Sequence, residues 1–205
     1  MTLEELLDRL REFDLLLDTD PKFPSVTSAV IGESIRGTWW THPQAREVFR
    51  LSCALRDHPD VLTMRLISGK ITFVHRPLWP AIYAIATARE PWQMDKLSKE
   101  AKALLKKADK AGELESSGDP TRELEKYMLV HSRSVHTERG THVKHVMTWQ
   151  AWAKSVGLCK VKIKPAEAKG QLESVIARLN TQSGAAATLP WKKIGVHRRA
   201  SAAKI

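Results

Sequence analysis

The sequence has few cysteines and no long apolar run. Its two cysteines, Cys53 and Cys159, lie far apart and outside any Cys-x-x-Cys pair, so no disulfide framework is expected. No apolar run approaches the roughly 18 residues that a membrane span requires. The first residues are acidic and amphipathic, and they lack the basic start and the apolar stretch of a secretory signal. These absences predict a protein of a reducing compartment, the cytoplasm.

Several motifs of nucleotide, acyl and deamination chemistry are also absent. The chain has no Walker loop, no GxGxxG fingerprint, no GxSxG nucleophile elbow and no zinc-deaminase HxE…PCxxC signature. Nucleotide hydrolysis, Rossmann-type hydride transfer, serine-esterase chemistry and zinc deamination therefore lack the residues that they require. We expect no cofactor.

Positive charge is in excess and is unevenly distributed. The chain has 33 Lys and Arg against 23 Asp and Glu, a net charge of +10. Residues 1–60 are net negative, whereas residues 61–205 carry all of the positive excess. A field of one sign attracts polyanions and speeds their capture, which predicts a nucleic-acid partner. Two alternatives remain open, namely a basic surface that serves solubility and binding to an anionic membrane.

The hydrophobic pattern predicts a mainly α protein with a small β-hairpin. Helices are predicted at residues 2–17, 43–56, 79–87, 99–110, from Thr121 onward, 142–155 and 166–180. Runs rich in β-branched residues on both sides of Ser68 predict the hairpin. Helices followed by a two-stranded hairpin resemble a winged-helix layout, in which the hairpin is the wing. We expect winged-helix-like modules packed as one compact unit.

Three parts of the chain are distinguished by composition. Residues 1–92 are predicted to form a helical, winged-helix-like unit that holds the candidate pocket. Residues 93–180 are predicted to form a second helical unit. Residues 181–205 are rich in small and basic residues, which is typical of a flexible tail.

The first candidate site lies in the loop before the second long helix. Glu33, Arg36, Trp39, Trp40 and His42 fall close together in this loop. Two adjacent tryptophans on an extended segment cannot face the same core, so one of them is expected to point into a groove or a base stack. Glu33 has apolar neighbours, which favours a dry pocket. The alternative is a surface glutamate beside a core tryptophan pair.

The second candidate site is the stretch 131–145, which contains four histidines. Their spacing, without cysteine or an HExxH motif, disfavours zinc. Ser and Thr hydroxyls precede Glu138, and Arg133, Arg139 and Lys144 lie in the same stretch. Because these groups and helix-start amides donate to phosphate oxygens, we predict a phosphate-binding loop. A structural polar network is the alternative.

A third candidate site is the end of the predicted hairpin. His75 and Arg76 end its second strand, and Lys70 lies in its turn. At such a position these side chains would contact DNA or close the first pocket. A simple strand end is an equally good interpretation.

Four segments carry a resemblance to a known family. They are GESIRGTWWTHPQAREVFRL, LISGKITFVHRPLWPA, LLKKADKAGEL and LVHSRSVHTERGTHVKHVMTWQAWA. Over roughly residues 25–155 the chain resembles small bacterial proteins related to winged-helix DNA glycosylases, which unhook crosslinks and remove alkylated bases. Its size and composition are also similar to phage-defence DNA glycosylases that remove glucosylated hydroxymethylcytosine. The Gln-x-Gln motif of the larger family has no counterpart in this sequence.

The resemblance implies a monofunctional DNA glycosylase that excises a modified base and leaves an abasic site. In such chemistry a carboxylate stabilises an oxocarbenium-like state, and aromatic groups hold the flipped nucleotide. The implied catalytic residues are Glu33, Glu138 and His136. The implied base-binding residues are Trp39, Trp40, His42 and His75. The implied DNA-binding residues are Arg36, Lys70, Arg76, Arg133, Arg139 and Lys144. The implied partner is double-stranded DNA, bound by a monomer, with no membrane and no metal.

A non-catalytic winged-helix regulator is the alternative function. It would read DNA through the helix predicted at residues 142–155 and use the hairpin at residues 67–73 as its wing. An RNA-binding accessory protein also remains open, because charge alone does not separate RNA from DNA.

Overall fold

The computed structural model describes residues 1–35, 37–136 and 142–192, with the backbone alone at residues 134–136 and 142–143. Within these residues the chain is mainly helical and has two small antiparallel sheets. The helices are α1 (Leu3–Phe13), α2 (Val26–Ile31), α3 (Ala45–Arg56), α4 (Trp79–Thr87), α5 (Pro91–Met94), α6 (Lys99–Ala111), α7 (Asp119–Lys126), α8 (Trp149–Ser155) and α9 (Pro165–Ser183). The strands are β1 (Leu15–Leu17), β2 (Val61–Arg65), β3 (Ile71–His75), β4 (Glu113–Glu115), β5 (His131–His136) and β6 (His142–Met147).

Helix predictions are confirmed where the sequence carries clear start and stop signals. The Ser98 side chain accepts the Ala101 N–H at the start of α6, and Gly112 ends the helix with a positive φ. The predicted helix at residues 2–17 is too long, because α1 ends at a left-handed Asp14 and three leucines then form β1. The predicted cap Thr121 is also wrong, since α7 begins at Asp119 and Thr121 lies buried within it.

The predicted hairpin around Ser68 is confirmed and belongs to a three-stranded sheet. β2 and β3 pair antiparallel from Val61 opposite His75 to Arg65 opposite Ile71. β1 pairs with the other side of β3, so the strand order is β1-β3-β2 and β2 is an edge strand. One face of this sheet packs against α1 and α3, and the other face packs against α4 and α9.

The helix predicted at residues 142–155 is wrong in its first half. Residues 142–147 form β6, the central strand of a second sheet with the order β4-β6-β5, and α8 begins only after Thr148. Val146 and Met147 point to opposite faces of this sheet and enter different hydrophobic clusters. Because both faces are covered, the apolar spacing of β6 imitates the spacing of a helix. The chain therefore has a second sheet, of which no strand was predicted from the sequence: β5 lies in the predicted phosphate-binding loop and β6 in a predicted helix.

The main hydrophobic cluster draws on all three parts distinguished by composition. Trp79 from the first part packs with Trp149 and Trp152 from the second part, and Leu189 from the third part is buried in the same cluster. The predicted flexible tail is therefore packed as far as residue 192, and residues 193–205 lie outside the described residues. Along the described ranges, no helix combines the length and the apolarity that crossing a membrane requires.

Candidate functional site

The two tryptophans of the loop before α3 do not share a core face, as predicted. Trp39 is buried, whereas Trp40 is 63% exposed and stacks on Trp39 with ring centroids 4.1 Å apart. The exposed ring of Trp40 also approaches the ring of Phe49, which is 51% exposed. Glu33 is exposed rather than enclosed in a dry pocket. The half-buried His42 accepts the Gln44 N–H through Nδ1, which is a local turn contact.

The three residues predicted at the hairpin end are held by structural contacts. Lys70 forms an ion pair with Asp20 at 2.6 Å. Arg76 pairs with Asp60 at 3.0 Å and lies over the ring of Trp79. His75 is half-buried at the end of β3, and this burial lowers its pKa. None of the three residues Glu33, Trp40 and His75 lines either of the two cavities described for this structure.

An open cavity lies where the two sheets meet. This open cavity of about 760 Å³, here called the central cleft, is bounded by β2, the end of α3, α7, β5, β6 and the end of α8. Two of the predicted DNA-binding residues, Arg133 and Lys144, line it. Its volume is within the range of small-molecule sites. The central cleft is therefore the candidate functional site.

The first wall of the central cleft is the unpaired edge of β2. Two main-chain hydrogen bonds close the ends of the hairpin: the Arg76 N–H donates to the Asp60 O, and the Leu66 N–H donates to the Lys70 O. They show which residue pairs between β2 and β3 are the hydrogen-bonded pairs. In an antiparallel ladder the bonded pairs alternate with non-bonded pairs. Every second residue of β2, with Thr63 at the centre, therefore turns its N–H and C=O away from β3. Consecutive β2 residues line the central cleft, so these main-chain groups face it.

A second wall of the central cleft is the edge of β5 that pairs with no other strand of the described residues. On the central strand β6, the Lys144 O accepts the Ser116 N–H and the Thr148 N–H donates to the Gly112 O, so these positions bond toward β4. The alternate positions of β6 then bond toward β5, which leaves the main-chain groups of Ser132 on the free side of β5. Ser132 and both of its neighbours line the central cleft. Two strand edges thus border one cavity.

Two buried polar atoms in the walls of the central cleft have no hydrogen-bond partner among the residues that the structure describes. They are the Thr63 Oγ1 and the His131 Nδ1. Burial lowers the pKa of His131 to about 4, so its imidazole is neutral near pH 7. The ring is packed against Trp149 and Trp152, with centroid distances of 5.8 and 6.0 Å. Buried polar groups are nearly always paired in folded proteins, so this pair of atoms indicates a ligand or ordered water in the central cleft.

A carboxylate network lies beside these atoms. Glu125 on α7 has a side chain that is only 10% exposed, and its Oε1 lies 2.5 Å from the Lys144 Nζ. The same oxygen accepts a hydrogen bond from the Ser132 hydroxyl. Glu125 is missed by sequence reasoning, because it belongs to an ordinary charged helix of the type RELEK that carries no motif. Only the packing of α7 against the second sheet gives it a place in the central cleft.

The charge around the central cleft is predominantly positive. Arg56, Arg65, Arg133 and Lys144 line it, whereas its carboxylates are Asp57 and Glu125. The remaining predicted site residues, Arg36, Glu138 and Arg139, lie outside the described residues, as does the side chain of His136. Among the residues that the structure describes, no three His, Cys, Asp or Glu side chains are grouped to hold a metal ion.

Comparison of the chain with known proteins gave no match to any family model, curated protein or solved structure. The geometry of the central cleft and the charge distribution are therefore the observations that bear on function.

Proposed function

We propose that the protein binds double-stranded DNA as a monomer, accepts a flipped modified base in the central cleft and hydrolyses its N-glycosidic bond. The observation that carries this proposal is the pair of buried, unpartnered atoms, Thr63 Oγ1 and His131 Nδ1, in a cavity rimmed by cations. A flipped base has a hydrogen-bonding edge and an apolar face. These match the polar atoms and the tryptophan-backed wall of the central cleft.

The free strand edges support base recognition of this kind. Thr63 offers a side-chain hydroxyl together with main-chain N–H and C=O groups, and a neutral His131 has one donor and one acceptor nitrogen. An inserted base would supply hydrogen-bond partners that the folded chain lacks. Extrusion of a base from the stack costs a few kcal/mol, and these contacts would offset that cost.

Glu125 is the carboxylate to which we assign the hydrolytic step. The C1′–N bond breaks with its electron pair on the base nitrogen, which takes up a proton from solvent. A water oxygen bonds to C1′ and passes one of its two protons to the Glu125 carboxylate, which returns it to solvent. The Glu125 carboxylate stabilises the developing oxocarbenium charge and orients that water. Glu125 replaces the sequence-based candidate Glu33, because Glu33 is exposed and lines neither described cavity.

The order of the elements supports winged-helix-like units. The first unit runs α1-β1-α2-α3-β2-β3 with the strand order β1-β3-β2, an order that supports a winged-helix-like unit. The second unit runs α6-β4-α7-β5-β6 with the equivalent order β4-β6-β5 and one helix fewer. The equivalent edge strand of each unit, β2 in the first and β5 in the second, borders the central cleft. We infer that DNA lies across the junction of the two units, with Arg56, Arg65 and Arg133 at its phosphates.

A base-release assay tests the proposal. Duplexes that contain glucosylated hydroxymethylcytosine or an alkylated base are incubated with the purified protein, and free base and alkali-labile sites are measured. We expect Glu125→Gln to slow base release by about 100-fold or more while DNA binding is kept. The matched control Glu33→Gln should retain the wild-type rate. Absence of base release from every modified duplex, or full activity of Glu125→Gln, would overturn the proposal.

A non-catalytic regulator is the second candidate, and one observation favours it. The exposed face of α3, which holds the position of a recognition helix, carries Arg46, Phe49 and Arg50. The helix that the sequence indicated as the reader is instead the β6 strand and the short α8, whose Trp149 and Trp152 are buried. A regulator would therefore read the major groove through α3. It would show sequence-specific, salt-sensitive binding without base release, and Arg46→Ala would relax that specificity.

A further inference from the structure

We propose that Lys144 is a nucleophile that cleaves the DNA strand at abasic sites, so that the central cleft has a lyase activity in addition to base release. The inference rests on the proposed function in one respect, which is that the central cleft receives a deoxyribose. Lysine amines form imines with aldehydes, and the open form of an abasic sugar is an aldehyde at C1′. Lys144 is the one lysine among the described residues that line the central cleft.

The position of Lys144 suits a nucleophile. It lies on β6, which is paired on both sides, so its backbone is held by two neighbouring strands. Its side chain lines the central cleft and is 28% exposed, and its ammonium reaches Glu125. A catalytic group on a rigid strand is more accurately placed than one on a loop.

Glu125 is the proton acceptor that this chemistry requires. The distance of 2.5 Å between the Lys144 Nζ and the Glu125 Oε1 allows direct proton transfer. With that proton on Glu125, the neutral amine can attack C1′. The Ser132 hydroxyl donates to the same carboxylate and fixes its orientation.

The reaction needs no oxidant or reductant, and water is its only co-reactant. The Lys144 nitrogen bonds to C1′, the aldehyde oxygen leaves as water with the proton from Glu125, and a protonated imine results. This imine makes the C2′ hydrogen acidic, so the Glu125 carboxylate removes that proton. The electron pair forms the C2′–C3′ double bond, and the C3′–O bond breaks with its electrons on the 3′ phosphate. Water then hydrolyses the imine and frees Lys144.

Other described lysines are less suited to this role. Lys70 pairs with Asp20, and Lys169 pairs with Glu90, both away from the central cleft. Lys154 on α8 is exposed and does not line the cavity. Lys154 is therefore the matched control, because it is a nearby lysine that any nonspecific imine formation would use equally.

Borohydride trapping on preformed abasic DNA tests the inference, since this substrate needs no base release. We expect a covalent protein–DNA adduct, with the modification located on the peptide that contains Lys144. Lys144→Arg retains the charge beside Glu125 but cannot form a reducible imine, so we expect about 50-fold less adduct with retained binding of abasic DNA. Lys144→Ala should show the same loss, and Lys154→Ala should trap like the wild type.

The outcomes separate the two proposals. Absence of an adduct, or an adduct that persists in Lys144→Arg, would overturn the lyase. Base release without an adduct would keep the proposed function and reject the lyase alone. An adduct at Lys144 without base release from any modified duplex would support the lyase and reject the proposed glycosylase.

Discussion

The ammonium of Lys169 lies 5.9 Å from the ring centroids of both Trp92 and Trp191. The same ammonium pairs with Glu90, and the Trp191 indole N–H donates to Glu173 at 2.8 Å. Lys169 and Glu173 belong to α9, whereas Trp191 belongs to the segment that follows it. This cluster therefore fastens the end of the described chain to α9 and to α5.

Replacement of Trp191 by alanine is expected to destabilise the protein. The variant loses partly buried aromatic area, a cation–π contact and the hydrogen bond to Glu173, so the free energy of unfolding should fall by about 2 kcal/mol. Urea denaturation of Trp191→Ala measures the change. The exposed Trp40 is the matched control, and Trp40→Ala should remain within about 0.5 kcal/mol of the wild type. Equal stability of the two variants would contradict the fastening role.

Stability is expected to fall in mild acid because of His131. Burial lowers the pKa of His131 to about 4, whereas the unfolded chain titrates near 6.5. Between these values the unfolded state binds a proton that the folded state does not bind, so acid favours unfolding. This loss begins as the pH falls below about 6.5 and is complete near pH 4, and it lowers the free energy of unfolding by about 3 kcal/mol.

The variant His131→Phe isolates this effect, since it keeps a ring against the tryptophans and cannot titrate. Urea denaturation between pH 4.5 and pH 7 compares its slope with that of the wild type. His75, whose pKa is also lowered by burial, titrates in both proteins and cancels in the comparison. Parallel pH profiles would show that His131 is not linked to folding.

Substitution of Thr63 by valine is expected to raise stability and to lower ligand affinity. The buried Thr63 Oγ1 has no partner, so its replacement by a methyl group of similar shape should raise the free energy of unfolding by about 1 kcal/mol. The same change removes a polar contact to a base in the central cleft. Thermal unfolding and binding to DNA with a modified base test the two effects together. A loss of stability would mean that water satisfies this hydroxyl in solution.

The salt dependence of DNA binding should show whether the arginines of the central cleft contact phosphates. Arg56 is exposed at the rim and forms no ion pair with any described side chain, so it is free to bind phosphate. Arg56→Ala should reduce the slope of log affinity against log salt by about 1. Lys70→Ala should leave the slope nearly unchanged, because Lys70 already pairs with Asp20. Equal slopes for Arg56→Ala and the wild type would place DNA elsewhere.

Local signals in the sequence predict much of the fold. The Ser98 cap and the Gly112 stop define α6, and the residues around Ser68 define the first hairpin, because these features act within a few residues. β1 and β6 were not predicted, since each strand has apolar residues on both faces, which pack into two different hydrophobic clusters. Their sequences therefore lack the alternation of apolar and polar residues that indicates a strand. Tertiary burial thus outweighs the local pattern in these two strands.

The candidate site was predictable only in part. Arg133 and Lys144 were selected from a cluster of charges, and the fold places both in the central cleft. Glu125, Thr63 and Ser132 carry no motif, because their chemistry depends on burial and on strand edges that only the folded chain creates. The loop of Glu33 and Trp40 had the richer composition, yet Glu33 is exposed and Trp40 stacks on Trp39 at the surface.

The two unpaired strand edges of the central cleft also bear on self-association. An exposed sheet edge is a template for pairing with another chain, and proteins usually protect it with charges, bulges or covering segments. Here β2 and β5 border the same cavity, with Arg65 and Arg133 at their edges, so charged side chains guard both edges. Partial separation of the two sheets by heat or denaturant would expose both edges at once, and intermolecular sheet growth would then begin from this cavity.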